Sequence, residues 1–203
     1  MMEQMPIATL SNLLSTYRIR LVSGSPRRRE LLAGMGLKFS VEKSAVKEEC
    51  PDSLPRHEQA MYLSRLKAQH PEHPMNEGEL IIAADTTVWQ GQTVLGKPAD
   101  EADAYAMLRQ LSGKEHYVVT GVTLRTTEKD LSFYEETAVT FAQLSDEEIA
   151  YYVDHYRPLD KAGAYGVQEW IGIVGVKHLN GCYYNVMGLP TPRLYQELKN
   201  FIP

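Results

Sequence analysis

Cysteine is scarce in this chain: there are two in 203 residues, Cys50 and Cys182, and no CxxC. That argues against a disulfide framework and a thiolate metal site, and it fits a reducing cytoplasm. No apolar run reaches the roughly 20 residues that a membrane-spanning helix needs. The stretch Met1 to Leu14 is mixed and polar, with Glu3 where a secretory signal would carry positive charge. Positive charge is itself in deficit, 21 Lys and Arg against 26 Asp and Glu, a formal net charge of -5. A nonspecific nucleic-acid binder carries a basic surplus, so neither nucleic acid nor membrane is an expected partner. The six histidines show no HxH or HExxH, and no GxxxxGK[ST] occurs, so neither a histidine metal motif nor a P-loop is present. There is no internal repeat and no low-complexity tract.

What is present suits a globular core: 43% hydrophobic and 23% charged residues. Strand-like and helix-like segments alternate, which points to the α/β class. Strands are expected at Tyr17–Val22, Phe39–Val41, Leu80–Ala84, Tyr117–Leu124, Tyr134–Phe141, Ile171–Val176 and Tyr183–Val186. Leu80–Ala84 is apolar throughout, as a strand buried on both faces requires. Helices are expected at Pro26–Met35, Arg56–Ala68, Ala99–Leu111, Asp146–His155 and Pro192–Lys199. Ser145 suits the N-cap of the fourth, and Ala102, Tyr105, Ala106, Leu108 and Leu111 form the apolar stripe of the third. The proline-rich stretch His70–Gly78 reads as a surface loop.

Several features carry chemistry. Ser23-Gly24-Ser25-Pro26-Arg27-Arg28-Arg29 joins a strand to a helix. Ser25 suits the N-cap and Pro26 the first helical position. Three arginines then crowd the positive end of the helix dipole, each unfavourable by roughly 0.3–1 kcal/mol unless an anion binds there. Hydroxyls, backbone N–H groups and guanidinium forks together suit a phosphate. Asp85 directly follows the apolar run, at the expected carboxyl end of a buried strand where α/β proteins gather ligands. A carboxylate there can hold a divalent ion or take a proton from water. Thr86 and Thr87 follow it. Glu48-Glu49 matter only if they converge with Asp85. Lysines flank glycine or proline at Gly96-Lys97-Pro98, Ser112-Gly113-Lys114 and Asp160-Lys161-Ala162-Gly163. In Gly163-Ala164-Tyr165-Gly166-Val167-Gln168 small residues permit close backbone approach, and the Gln168 amide can read a base edge. Tyr151, Tyr152, Tyr183 and Tyr184 read as core or rim aromatics. Residue chemistry alone reaches a polyphosphate site suited to Mg²⁺ and does not give the bond cleaved.

Four blocks together resemble the Maf proteins, a family of nucleotide pyrophosphatases once described as septum-formation inhibitors. They are SGSPRRRELL at 23–32, ADTTV at 84–88 with GKP at 96–98, LSGKEHYVVTGV at 111–122, and DKAGAYGVQ at 160–168 with Tyr184-Asn185-Val186 and GLP at 188–190. The likeness spans Ile19 to Leu198. It implies one Maf-like domain over residues 1–203: an elongated α/β fold with a mixed, twisted sheet and two lobes flanking a cleft, similar to inosine triphosphate pyrophosphatases. It also implies cleavage of a nucleoside triphosphate between the α- and β-phosphates, with Mg²⁺ or Mn²⁺ as cofactor, and it suggests a homodimer. Asp85 matches the family's proposed catalytic base and Glu49 one of its polar cleft positions; these two carboxylates are the expected metal ligands. Ser23, Arg27, Arg28, Lys67, Lys97, Asp160 and Lys161 match its polar cleft positions. Arg28, Thr86 and Gln168 fall where the branch acting on dTTP and UTP carries its specificity residues. The expected role is removal of non-standard nucleotides. A 7-methyl-GTP or modified-purine triphosphate pyrophosphatase and a nonenzymatic, nucleotide-binding regulator of septum formation are the alternatives. The chain has Glu169 and Trp170 where the family commonly continues with glycine after the glutamine, and Lys47 where an acid is frequent.

Overall fold

The computed structural model describes residues 10–47, 49–51 and 53–202. Residues 1–9 of the polar N-terminal stretch, and Glu48 of the paired acids, lie outside the described residues. Among the described residues seven strands form one mixed, twisted open sheet: β1 (Arg18–Val22), β2 (Phe39–Glu42), β3 (Glu79–Gln90), β4 (Thr93–Leu95), β5 (Glu115–Arg125), β6 (Asp130–Phe141) and β7 (Val176–Asn180). The helices are α1 (Leu10–Leu13), α2 (Pro26–Gly34), α3 (Arg56–Gln69), α4 (Glu101–Leu111), α5 (Asp146–Tyr156), α6 (Trp170–Gly175), α7 (Tyr183–Met187) and α8 (Thr191–Phe201), with a 3-10 turn at Ala162–Ala164. The strand order is β2-β1-β3-β5-β6-β7, with β4 also on β3. β1 runs parallel to β2 and β3, and the pairs β3–β5, β5–β6 and β6–β7 are antiparallel.

Local chemistry sets the helix starts. The Ser25 hydroxyl caps α2 through the Arg28 N–H, with Pro26 in the first turn. Ser145 and Glu148 form a reciprocal capping box on α5. The apolar face of α4 is Ala104, Leu108 and Leu111, while Ala102 and Ala106 of the expected stripe are exposed.

Four expectations need correction. The expected strand Ile171–Val176 is helical as far as Gly175, and Val176 opens β7: Ile171 is buried but Ile173 and Val174 are exposed, which breaks a two-residue alternation. The absence of a side chain at Gly172 lets that turn close on Val167, whose carbonyl oxygen would lie 1.9 Å from an added Cβ. Tyr183–Val186 is also helical, because the buried Asn185 amide turns inward to the Val118 carbonyl at 3.0 Å and the Thr137 hydroxyl at 2.8 Å. Tertiary contacts override strand propensity in both segments. β3 does not end at Ala84 but runs on to Gln90 through Asp85. β4 and β7 were not anticipated from the sequence; each is short or half-exposed and pairs along a single edge.

Two apolar clusters lie along one face of the long strands. The first takes Leu80, Ile82 and Ala84 from β3 and Val122 and Leu124 from β5, and packs them against Leu21, Leu32, Leu189, Leu194 and Leu198. The second takes Val88 and Val118 from the same strands and packs them with Leu108, Leu111, Phe141, Ile149, Tyr152 and Ile171. Between them, on that face, stand Thr86 and Thr120, which are register partners. A polar seam thus separates the two apolar clusters on this face. On the opposite face α3 lies almost in contact with β5: a Cβ on Gly121 would sit 2.2 Å from the Ala60 carbonyl oxygen. Inside the second cluster His116 is fully buried, edge-on to Phe141 and Tyr165, with Nε2 2.7 Å from the Tyr165 hydroxyl. Burial pushes its pKa down from 6.5 to about 4.

Two outcomes follow from this packing. Gly121→Ala lowers the urea unfolding free energy by about 1–3 kcal/mol, because α3 must lift from the sheet; an unchanged midpoint contradicts the close approach. The neutral His116 contributes stability that is fully present above its ordinary pKa of 6.5 and is lost as pH falls toward about 4. The wild type should therefore lose up to about 3 kcal/mol more than a His116→Gln variant over that window, measured by urea unfolding at each pH. Parallel pH profiles would show that His116 does not titrate with unfolding.

Candidate active site

The sheet has a break in it. On one side of β3, β5 pairs continuously from Ile81 to Trp89. On the other side β1 covers Arg18 to Val22 against Glu79 to Ala83, and β4 covers Val88 to Gln90. Residues Ala84, Asp85, Thr86 and Thr87 are left without a strand neighbour on that edge among the described residues. β1 ends at this gap and turns into Ser23-Gly24-Ser25 and α2. β4 ends at its other rim and turns into Gly96-Lys97-Pro98. The gap therefore gathers two of the motifs singled out in the sequence.

Asp85 lies within β3 rather than at its end, beside the carboxyl end of β1, where a ligand site is expected in a parallel sheet. Its side chain projects to the α3 face and is buried, 7% exposed. The Lys67 ammonium, also buried, donates to Asp85 Oδ1 at 2.6 Å. Oδ2 of Asp85 has no hydrogen-bond partner among the described residues.

Thr86, the next residue, projects to the opposite face. There Arg28 is buried and held from three sides: Nε donates to the Gly188 carbonyl at 2.8 Å, one terminal nitrogen to Ser23 Oγ at 3.2 Å, the other to Thr86 Oγ1 at 2.9 Å. Gly188 ends α7 with φ of 111°, a left-handed conformation that glycine adopts without strain and that aims its carbonyl at Arg28. Thr86 Oγ1 lies 2.9 Å from Thr120 Oγ1, and Thr120 donates to the Asn185 carbonyl at 3.0 Å. The three arginines of α2 thus separate. Arg28 is built into the seam, Arg29 is exposed, and Arg27 reaches across to Asp160 at 2.8 Å.

That ion pair ties α2 to the 160–169 segment. Asp160 also accepts from the Lys161 ammonium at 2.8 Å, and Lys161, 7% exposed, lies 3.1 Å from Glu169 Oε1. Partial burial of Asp160 opposes its charge, but hydrogen bonds from Lys161 and Arg27 together hold its carboxyl below the ordinary range. Tyr152 OH donates to Glu169 Oε2 and accepts the Gly166 N–H at 3.0 Å. The backbone N–H of Gly163 donates to the Gly96 carbonyl at 3.0 Å, which places this segment beside the Gly96-Lys97 rim. Lys97 itself is exposed. Gln168 is partly buried, and its amide oxygen is sealed from solvent without a partner among the described residues.

Of the expected site residues, the structure connects Asp85 with Lys67; Ser23, Arg28 and Thr86; and Arg27, Asp160 and Lys161. Glu49 stands apart from these contacts: it is exposed in the loop between β2 and α3, 3.7 Å from Lys47. No group of three or more His, Cys, Asp or Glu side chains able to hold a metal occurs among the described residues. A cavity of about 390 Å³ lies elsewhere, at the start of β1, lined by Arg18, Arg20, Glu42, His73 and Glu79. Reading by residue type missed Thr120, Asn185, Tyr152 and Glu169 as parts of these networks. Thr120 is a polar position inside a strand whose neighbours are apolar, which is a visible signal; the others need the fold.

The chain matches the family model for Maf-like protein over residues 18–201. It is 52% identical over 189 residues to a protein of Parabacteroides distasonis named dTTP/UTP pyrophosphatase, covering 93% of this chain and 98% of that protein. A Bacteroides thetaiotaomicron protein of the same name is 53% identical over 187 residues, covering 92% and 97%. A solved structure of a nucleoside-triphosphatase / dITP/XTP pyrophosphatase from Mycobacterium abscessus overlaps 63% of this chain and 75% of that one, at 17% identity and a TM-score of 0.38. The family match takes in both rims of the gap and every contact described around it, and the chain belongs to the Maf-like protein family.

Proposed function

We propose that the protein hydrolyses dTTP and UTP to the nucleoside monophosphate and pyrophosphate, with the triphosphate seated in the break of the sheet. The observation that carries this reading is the buried Asp85–Lys67 pair beside the open edge of β3, with the basic residues of both rims close by. Relatives at about half identity over nearly the whole chain bear the name dTTP/UTP pyrophosphatase. The two apolar clusters on shared strands support one domain of two lobes.

In this reading Asp85 orients a water and takes its proton as the oxygen attacks the α-phosphorus in line; the bond to the β-phosphate oxygen breaks and pyrophosphate leaves. Such reactions need positioning and charge neutralisation more than covalent chemistry from the protein. Lys67 fixes one oxygen of Asp85 and leaves the other for water or cation. Arg27, Lys97 and Lys161 meet phosphate charge, Ser23 and Arg28 hold the frame, and Asp160 pairs with Arg27 and Lys161 until the phosphate arrives. Asp85 Oδ2 fits a divalent ion that keeps one or two carboxylates and takes the remaining oxygens from substrate. Mg²⁺ or Mn²⁺ would be held by Asp85 and, on turning from Lys47, by Glu49, and would neutralise phosphate charge when bound. The Gln168 amide oxygen, buried without a partner, suits the N3–H of uracil or thymine.

Purified protein given dTTP, UTP, 7-methyl-GTP and ITP in separate assays should release pyrophosphate, not orthophosphate, with dTTP and UTP fastest; preference for either of the other two overturns the pyrimidine assignment. Asp85→Asn should keep the fold and cut turnover by about a hundredfold or more, read as pyrophosphate release beside a melting curve. Near-normal turnover would remove Asp85 from its role. Gln168→Ala should narrow the ratio of kcat/KM between UTP and GTP by about 10–100-fold. Equal losses on both substrates would show that Gln168 does not read the base.

A further inference from the structure

We infer that Glu169, tied down by Tyr152, is a positioning residue that keeps the Lys161 ammonium available to the substrate's phosphates; the inference rests on the function proposed above. Lys161 has three N–H donors. Its partners among the described residues are Asp160, 2.8 Å away, and Glu169, 3.1 Å away. These carboxylates differ in their setting. The Asp160 side chain is 56% exposed and is shared with Arg27, so it can turn outward when an anion arrives. The Glu169 side chain is 20% exposed, and its second oxygen is locked by the Tyr152 hydroxyl. That hydroxyl is itself fixed by the Gly166 N–H, and Tyr152 is fully buried in the second apolar cluster. Gly166 has no side chain to spare here, since an added Cβ would come within 2.8 Å of the Glu169 carboxyl carbon.

The four charges of Arg27, Asp160, Lys161 and Glu169 cancel, so the free site is neutral at this corner. Without Glu169 the ammonium keeps no fixed partner, and it follows the Asp160 carboxylate outward when that carboxylate turns away. With Glu169 in place the ammonium is held between two partners, one fixed and one movable. A triphosphate replaces the movable one.

The sign of one substitution separates this from simple electrostatics. Glu169→Gln removes a negative charge beside a polyanion site, which by Coulomb attraction alone tightens anion binding. Positioning requires the reverse. Inorganic tripolyphosphate with Mg²⁺, titrated by calorimetry, should bind Glu169→Gln about tenfold more weakly than the wild type. Tyr152→Phe, which frees Glu169 while keeping the ring, should shift affinity the same way by a smaller factor. In a Lys161→Ala background Glu169→Gln should change affinity by under about twofold, because the residue it acts through is gone. Unchanged or tighter binding by the single variant, or an equal loss in both backgrounds, overturns the inference. Pyrophosphate release from dTTP is followed in parallel. A wild type that binds tripolyphosphate but releases no pyrophosphate defeats the proposed function while leaving the positioning result readable.

Discussion

A guanidinium taken out of water must find an acceptor for its N–H groups, because an unpaired buried charge costs several kcal/mol. Arg28 meets that demand with atoms from three separate parts of the chain: the Ser23 hydroxyl, the Thr86 hydroxyl and the Gly188 carbonyl. In doing so it pins α2, the middle of β3 and the end of α7 to one point. The Thr86–Thr120–Asn185 chain continues the connection across β5, and Asn185 carries it on to Thr137 in β6. This polar line divides the two apolar clusters, so the same contacts that satisfy Arg28 also define where one cluster stops and the other begins.

The break in the sheet lies on that line. β1 leaves β3 just before Asp85, and β4 joins it only at Val88. A strand edge left open in this way would invite association, yet here it is bordered by charged and small residues and backed by the Lys67–Asp85 pair. α3 contributes Lys67 because it can lie close on the sheet, and Gly121 permits that approach. Packing geometry on one face therefore sets the chemistry available at the edge.

Charge balance at the second rim follows a different rule from that at the first. Arg28 is fully committed to the protein and works as structure, whereas Arg27 and Lys161 are paired with carboxylates of unequal freedom. Cations held by movable partners can exchange them; cations held by buried neutral acceptors cannot. Three adjacent arginines in the sequence hence carry three different duties, and only Arg29 is left on the surface.

Much of this was legible before any coordinates. The start of α2 at Ser25-Pro26, the capping of α5 by Ser145, the buried β3 core at Leu80–Ala84 and the family blocks all depend on local spacing or on residues that act close to their own backbone. Ile171–Val176 and Tyr183–Val186 misled for the converse reason: short β-branched and aromatic runs take whichever conformation their neighbours impose, and Val167 and the Asn185 amide impose helical turns here. Spacing along the chain suffices for the strand-to-helix turn at Ser25-Pro26, for the acid that follows the apolar run and for the four family blocks. It takes the folded chain to make Arg28 face Thr86 rather than Asp85, to pair Lys67 with Asp85 and to bring Glu169 to Lys161. Those pairings join residues far apart along the chain, and their distances depend on strand register and helix packing, which no local pattern contains.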